Sequence, residues 1–163
     1  MVVVDRLTKS THFISLTQLF TPKTMAEKFI GGVVKPYGMP KSILSDRDPI
    51  FMSKFWQEFF TLSSTHLKMS LAYHPQTDGK TEVVNRCLEQ CLRCFAHQWP
   101  QKWSSYLAWA EFWYNTTYHV LVGMTPFQAL YGHLPPTVPN YQVGTSLMHE
   151  VDKALLSRDE LLS

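Results

Sequence analysis

The chain has 163 residues, 45% hydrophobic and 13% aromatic, with 15 Lys+Arg against 13 Asp+Glu for a formal charge of +2. That is one domain's length with enough apolar side chain for a core, which excludes a wholly disordered, collagen-like or coiled-coil chain. A surplus of +2 identifies no partner by itself, because phosphate contacts need local clusters of Lys and Arg rather than a total.

Val2, Val3 and Val4 form a β-branched run that reads as a strand. Asp5 to Ser10 reads as a turn, and Thr11 to Leu16 as a second, neighbouring strand. Thr21-Pro22 then offers an N-cap followed by proline at the first helical position, with Met25, Ala26, Phe29, Ile30, Val33 and Val34 at helical spacing. Gly31, Gly32 and Pro36 should weaken the last turns of that helix. Ser42-Ile43-Leu44 reads as a strand that runs into the polar cluster Ser45-Asp46-Arg47-Asp48-Pro49. Phe51 to Leu62 follows as an aromatic helix and Thr65 to Met69 as a strand.

Beyond this α/β half, Tyr73 to Gly79 is polar, holds proline and glycine, and is expected to be an exposed, mobile loop. Helices are predicted from Thr81 to about His97 and from Trp103 to Tyr118, with a short one capped by Thr125-Pro126 and ended by Gly132. The expected organisation is a core over 1–132, a proline-rich linker over 133–146 and an amphipathic helical tail over 147–163 that leaves the compact domain. No run approaches the roughly 20 apolar residues of a spanning helix, so no membrane partner is expected. Without a signal-peptide pattern, and with 3 cysteines that cannot close a disulfide framework, a reducing intracellular compartment is the expectation.

The chemistry concentrates on two carboxylates. Asp46 stands where a strand ends and a loop begins, the usual position of functional groups in open α/β sheets. Glu82 lies in the first turn of the predicted Thr81 helix, and 35 residues separate it from Asp46. A lone first-turn Glu is ordinary, since the helix dipole favours an anion there. Carboxylates from a strand end and a nearby helix can nevertheless share a hard divalent cation. Phosphoryl transfer uses such ions in pairs about 3.5–4 Å apart.

The blocks Ile43-Leu44-Ser45-Asp46-Arg47-Asp48-Pro49 and Tyr73-His74-Pro75-Gln76-Thr77-Asp78-Gly79-Lys80-Thr81-Glu82 with Asn85 closely resemble the catalytic core of integrases of gypsy-type LTR retrotransposons. Val3 to Lys9, Trp113-Tyr114-Asn115 and Gly123 to Gly132 match as well, so that the resemblance runs from Val2 to about Tyr141. It implies an RNase H-like mixed sheet flanked by helices and the D,D-35-E pattern, in which three carboxylates hold two Mg2+ or Mn2+ ions. By this resemblance Asp46 is the second acid and Glu82 the third. Tyr73, His74, Gln76, Lys80, Asn85 and Arg86 fall at positions that face DNA. Also implied are 3′-end processing and strand transfer of element DNA into target DNA, self-association with other integrase chains, and nuclear action, with cytoplasm as the fallback. The alternative is an inactive integrase fragment that keeps only nucleic-acid binding or dimerisation.

One departure bears on activity. The family's first catalytic aspartate lies on a strand before the one read at Val2 to Val4, so the resemblance implies a fold whose first strand and first acid are missing here. Asp5 is the available substitute, but it falls in the family's second strand and turn. A central strand's absence would leave unpaired backbone groups and a marginal, aggregation-prone fold. Asp48 is expected to be a structural neighbour, since only 33 residues separate it from Glu82. Cys87, Cys91, Cys94 and His97 share one helix, which cannot present four ligands to a tetrahedral zinc ion, so they read as packing. Trp99, Trp103, Trp109, Phe112, Trp113 and Tyr114 read as core or dimer contact rather than as a base-stacking platform. Arg6, Lys9, Lys80, Arg86 and Arg93 are the candidates for DNA backbone contacts.

Overall fold

Three valines in a row give β1 (Val2–Val4), which pairs antiparallel with β2 (Thr11–Phe13) in the register Val2 with Phe13, Val3 with His12 and Val4 with Thr11. The computed structural model describes residues 1–70, 75–97 and 100–162, and for 75–82, 95, 100 and 161–162 the backbone alone. The turn joining β1 to β2 is built by Asp5, whose Oδ2 accepts the Thr8 N–H at 2.8 Å and the Thr8 hydroxyl at 2.6 Å. Lys9 takes the left-handed conformation there, at φ 63°.

α1 (Pro22–Phe29) starts as read from the sequence: the Thr21 and Thr24 side chains each accept from the other's backbone N–H, and proline occupies the first turn. The glycines do not break it. The helix widens into a π-turn over Ile30–Val34 and continues as α2 (Lys35–Tyr37), ending at Gly38 with φ 80°. β3 (Ser42–Ser45) and β4 (His66–Met69) pair in parallel, joined by α3 (Lys54–Leu62), whose N-cap is Ser53.

Side-chain alternation along β1 sets the layering. Val3 packs with Ile14, Ile43 and Leu67 against a cluster from α1 and α3, built on Met25, Ala26, Phe29, Val33, Trp56 and Phe60. Trp56 and Phe60 stack at 4.9 Å between ring centroids, and Phe29 meets Phe60 edge-on at 5.9 Å. Val2 and Val4 face the other way, into a second cluster of Phe13, Val84, Leu107, Ala110 and Tyr114. That cluster joins β2 to α4 (Pro75–Phe95) and α5 (Leu107–Thr116). Helices thus cover both faces of β1–β2.

The strands are of mixed direction and flanked by helices, as expected, and they are grouped in small sheets. β1–β2 and β3–β4 are two two-stranded sheets, with no ladder between them among the described residues. In the antiparallel ladder the paired backbone groups fall on alternate residues, Met1 with Ile14 and Asp5 with Ser10. Val2 and Val4 therefore direct their N–H and C=O groups away from β2. In the parallel pair, Lys41 and Ser45 carbonyls accept from His66 and Ser70, which turns the backbone groups of Ser42 and Leu44 outward in the same way. The other side of β2 is closed by side chains of α5: Asn115 accepts the Thr11 N–H at 2.9 Å and donates to the Thr11 carbonyl at 2.8 Å, and Glu111 accepts the Phe13 N–H at 2.8 Å.

Three further expectations need correction. The second strand ends at Phe13, short of Leu16. The expected loop from Tyr73 to Gly79 is mostly helix, because α4 begins at Pro75, a residue suited to a first turn, and runs through Gly79 at a cost of about 1 kcal/mol relative to alanine. Glu82 consequently lies beyond the first turn, where the dipole argument no longer reaches it. The expected helix from Trp103 divides into a 3-10 segment (Pro100–Tyr106) and α5. α6 (Pro126–Tyr131) has the expected Thr125 cap and left-handed Gly132. The tail forms α7 (His149–Leu162), and it folds back on the linker: Asp159 accepts the Tyr141 N–H at 2.5 Å, and Arg158 donates to the Pro139 carbonyl at 2.7 Å.

Candidate active site

Asp46 follows β3 directly, as the sequence reading expects, and it is exposed. Among the described residues its carboxylate has long contacts alone: Oδ1 lies 3.4 Å from the Asp48 N–H nitrogen and 3.4 Å from the Ser45 hydroxyl. These weak contacts leave most of its lone pairs available to a cation. Asp48 does a structural job instead, accepting the Ile50 N–H at 2.9 Å in the turn that leads to α3.

The second half of the site stands on α4. Val84 is buried, Cys87, Leu88, Cys91 and Leu92 pack beside it, and Asn85 and Arg86 are exposed on the other side. Burial with the neighbouring thiols pushes the Cys91 thiol up. Tyr73 and His74 lie outside the described residues. Gln76, Lys80 and Glu82 fall within α4, but their side chains lie outside the description, and with them the separation between the Asp46 and Glu82 carboxylates. Among the described residues no group of three or more His, Cys, Asp or Glu could hold a metal. The donor chemistry of Asp46, a hard and lightly engaged oxygen pair, suits magnesium or manganese.

Asp5 is differently placed. Its burial pushes the carboxyl up, but the Thr8 hydroxyl and N–H, the Leu7 N–H and the Lys9 charge together hold it below its ordinary value. The Oδ2 that accepts both Thr8 donors maintains the β1–β2 turn.

Two arrangements had no local signal in the sequence. One is the junction beneath Asp46: the Ser70 N–H donates to the Ser45 carbonyl at 2.8 Å, and the Arg47 Nε donates to the Ser70 carbonyl at 3.2 Å. The other is a cleft of about 500 Å³ between β2, α2, α5 and α6, where His12 Nδ1 meets Glu111 Oε1 at 2.9 Å. Tyr37 and Tyr131 face each other there through their hydroxyls at 3.4 Å, and burial followed by that contact pushes the Tyr37 phenol up. The aromatic cluster divides: Tyr114 is in the core, whereas Trp103 and Trp113 are 42% and 43% exposed.

No protein-family model matches the chain. Two retrotransposon proteins of the fission yeast Schizosaccharomyces pombe (strain 972 / ATCC 24843), the transposon Tf2-3 and Tf2-4 polyproteins, are each 36% identical to it over 138 residues. The match covers 85% of this chain, which spans 10% of the length of those relatives. A simian T-cell lymphotropic virus intasome, solved by cryoEM in complex with the PP2A regulatory subunit B56 gamma, superposes with a TM-score of 0.70 at 19% identity, over 90% of this chain and 53% of that one. The HTLV-2 integrase catalytic core domain in complex with magnesium, in a trimeric form, gives 0.64 at 21% identity, over 78% of this chain and 81% of that one. This chain is homologous to the Tf2 retrotransposon polyproteins and has the RNase H-like fold of retroviral integrase catalytic cores.

Proposed function

We propose that the chain is the catalytic core of a retrotransposon integrase, which trims the 3′ ends of element DNA by hydrolysis and joins them to target DNA with the new 3′-hydroxyl as nucleophile. The observation that carries this reading is the exposed, lightly engaged carboxylate of Asp46 at the end of β3, in a fold shared with integrase catalytic cores. Asp46 and Glu82 would hold the Mg2+ or Mn2+ ions, which supply Lewis-acid stabilisation of the oxygens that enter and leave phosphorus. Asn85 and Arg86, exposed on α4, would contact the DNA backbone, and so, by the resemblance, would Tyr73, His74, Gln76 and Lys80. Self-association of such cores and action on nuclear DNA belong to the same proposal.

A second reading, an integrase core that binds DNA without joining it, is favoured by the open edges of β1 and β3 and by the occupied carboxylate of Asp5. A strand-transfer assay with a labelled duplex and either metal separates the two. It compares this chain, a form extended at its N-terminus, and each with Asp46→Asn or Glu82→Gln. Joining by the extended form, abolished by either substitution, is the expected result. Joining that survives Asp46→Asn would overturn the first reading.

A further inference from the structure

Arg47 lies between two aspartates in the chain, yet among the described residues it pairs with neither. Its one described polar contact is the bond from Nε to the Ser70 carbonyl at 3.2 Å. Ser70 is buried, and its own N–H is held by the Ser45 carbonyl at 2.8 Å, so the acceptor is fixed to the last residue of β3. A guanidinium is planar, always charged and carries five N–H donors. The Nε bond directs the group without using the two Nη nitrogens, which have no partner among the described residues. Asp46 is the preceding residue in the chain.

We infer that Arg47 is a phosphate-binding residue, which grips a DNA backbone phosphate end-on through its Nη fork beside the phosphate that reacts at Asp46. This rests on the nucleic-acid reading above and extends it to a residue with a different duty from the acids. An arginine meets a phosphate through two parallel N–H bonds, and restricting the side chain beforehand lowers the ordering cost of that contact. Its neighbours give the opposite prior for an unengaged cation, because aspartates on both sides would ordinarily attract it. Ser70 holds it away from them at a place where a polyanion has to come close if Asp46 is to act.

The test measures binding to a duplex oligonucleotide of arbitrary sequence in chelator, so that no divalent ion bridges protein and DNA, across a series of monovalent salt concentrations. Each phosphate contact contributes about 0.9 to the slope of log K against log salt for duplex DNA. Arg47→Gln should lower the slope by about one and weaken binding roughly five- to ten-fold at 0.1 M salt. Arg47→Lys should keep the slope, and Lys28→Ala, on the exposed side of α1, should change nothing. Should Arg47→Gln fail to fold, the unaltered chain still decides: bound duplex should shield Arg47 from an arginine-selective dicarbonyl reagent, read by peptide mass. An unchanged slope in a folded Arg47→Gln protein, or no shielding by bound duplex, overturns the assignment and leaves the nucleic-acid reading intact. If the unaltered chain binds no duplex in this series, that reading falls and takes the Arg47 assignment with it.

Discussion

The two sides of the β1–β2 sheet are finished in opposite ways. Along β2, Asn115 imitates a neighbouring strand, giving one acceptor and one donor to Thr11, and Glu111 takes the Phe13 N–H. Along β1, the outward N–H and C=O groups of Val2 and Val4 find no backbone or side-chain partner among the described residues. β3 repeats the open condition at Ser42 and Leu44. An edge can thus be closed by two polar side chains of a helix, at the price of committing that helix to one register. The bare edges are where another strand would pair, and unpaired strand edges are templates for self-association.

Substitutions can break this contrast. The largest effect is expected from Asn115→Ala, which strips both partners from Thr11, a residue with 0% exposure; leaving two buried backbone groups unpaired should cost about 2–4 kcal/mol, read from the urea midpoint. Glu111→Gln keeps an acceptor for Phe13 but removes the charge and the pairing with His12, and should cost about 0.5–1.5 kcal/mol in the same experiment. Amide hydrogen exchange then compares the edges directly. The N–H groups of Val2, Val4, Ser42 and Leu44 should exchange at least ~10-fold faster than those of Thr11 and Phe13. Equal protection would mean that the open edges are covered by self-association in solution.

The smallest effect concerns the turn at Asp5. Its carboxyl titrates below the ordinary value of 3.8 in the folded chain, so its stabilisation is present above that value and is lost as pH falls through the lower folded one. Asp5→Asn should therefore be less stable than the parent near neutrality, and the difference should shrink in acid, as followed by thermal melts at stepped pH.

Local chemistry made much of the fold legible. Thr21-Pro22 and Thr125-Pro126 set helix starts with partners three residues away, and Gly132 ends α6 in the left-handed conformation it permits. The reading failed where local signals competed. Pro75 and Gly79 carry turn chemistry, yet the helix starts on the first and absorbs the second. The split of the sheet is invisible locally, because pairing is decided between segments. Asp46 is legible as an acid at a strand's end, since Ser42-Ile43-Leu44 reads as a strand and the polar cluster from Ser45 as its end, one residue short of the observed strand. Nothing near Asn115 or Arg47 announces that one closes a strand and the other reaches Ser70, contacts that cross 104 and 23 residues of chain.

The Thr11 to Asn115 contact has a consequence in time. Synthesis at about 5–20 residues per second separates the emergence of the two residues by roughly 5–20 seconds. Throughout that interval the nascent chain has Val2 to Phe13 without the side chains that shelter its second strand. Whatever else recognises extended backbone in the cell has first access to this segment.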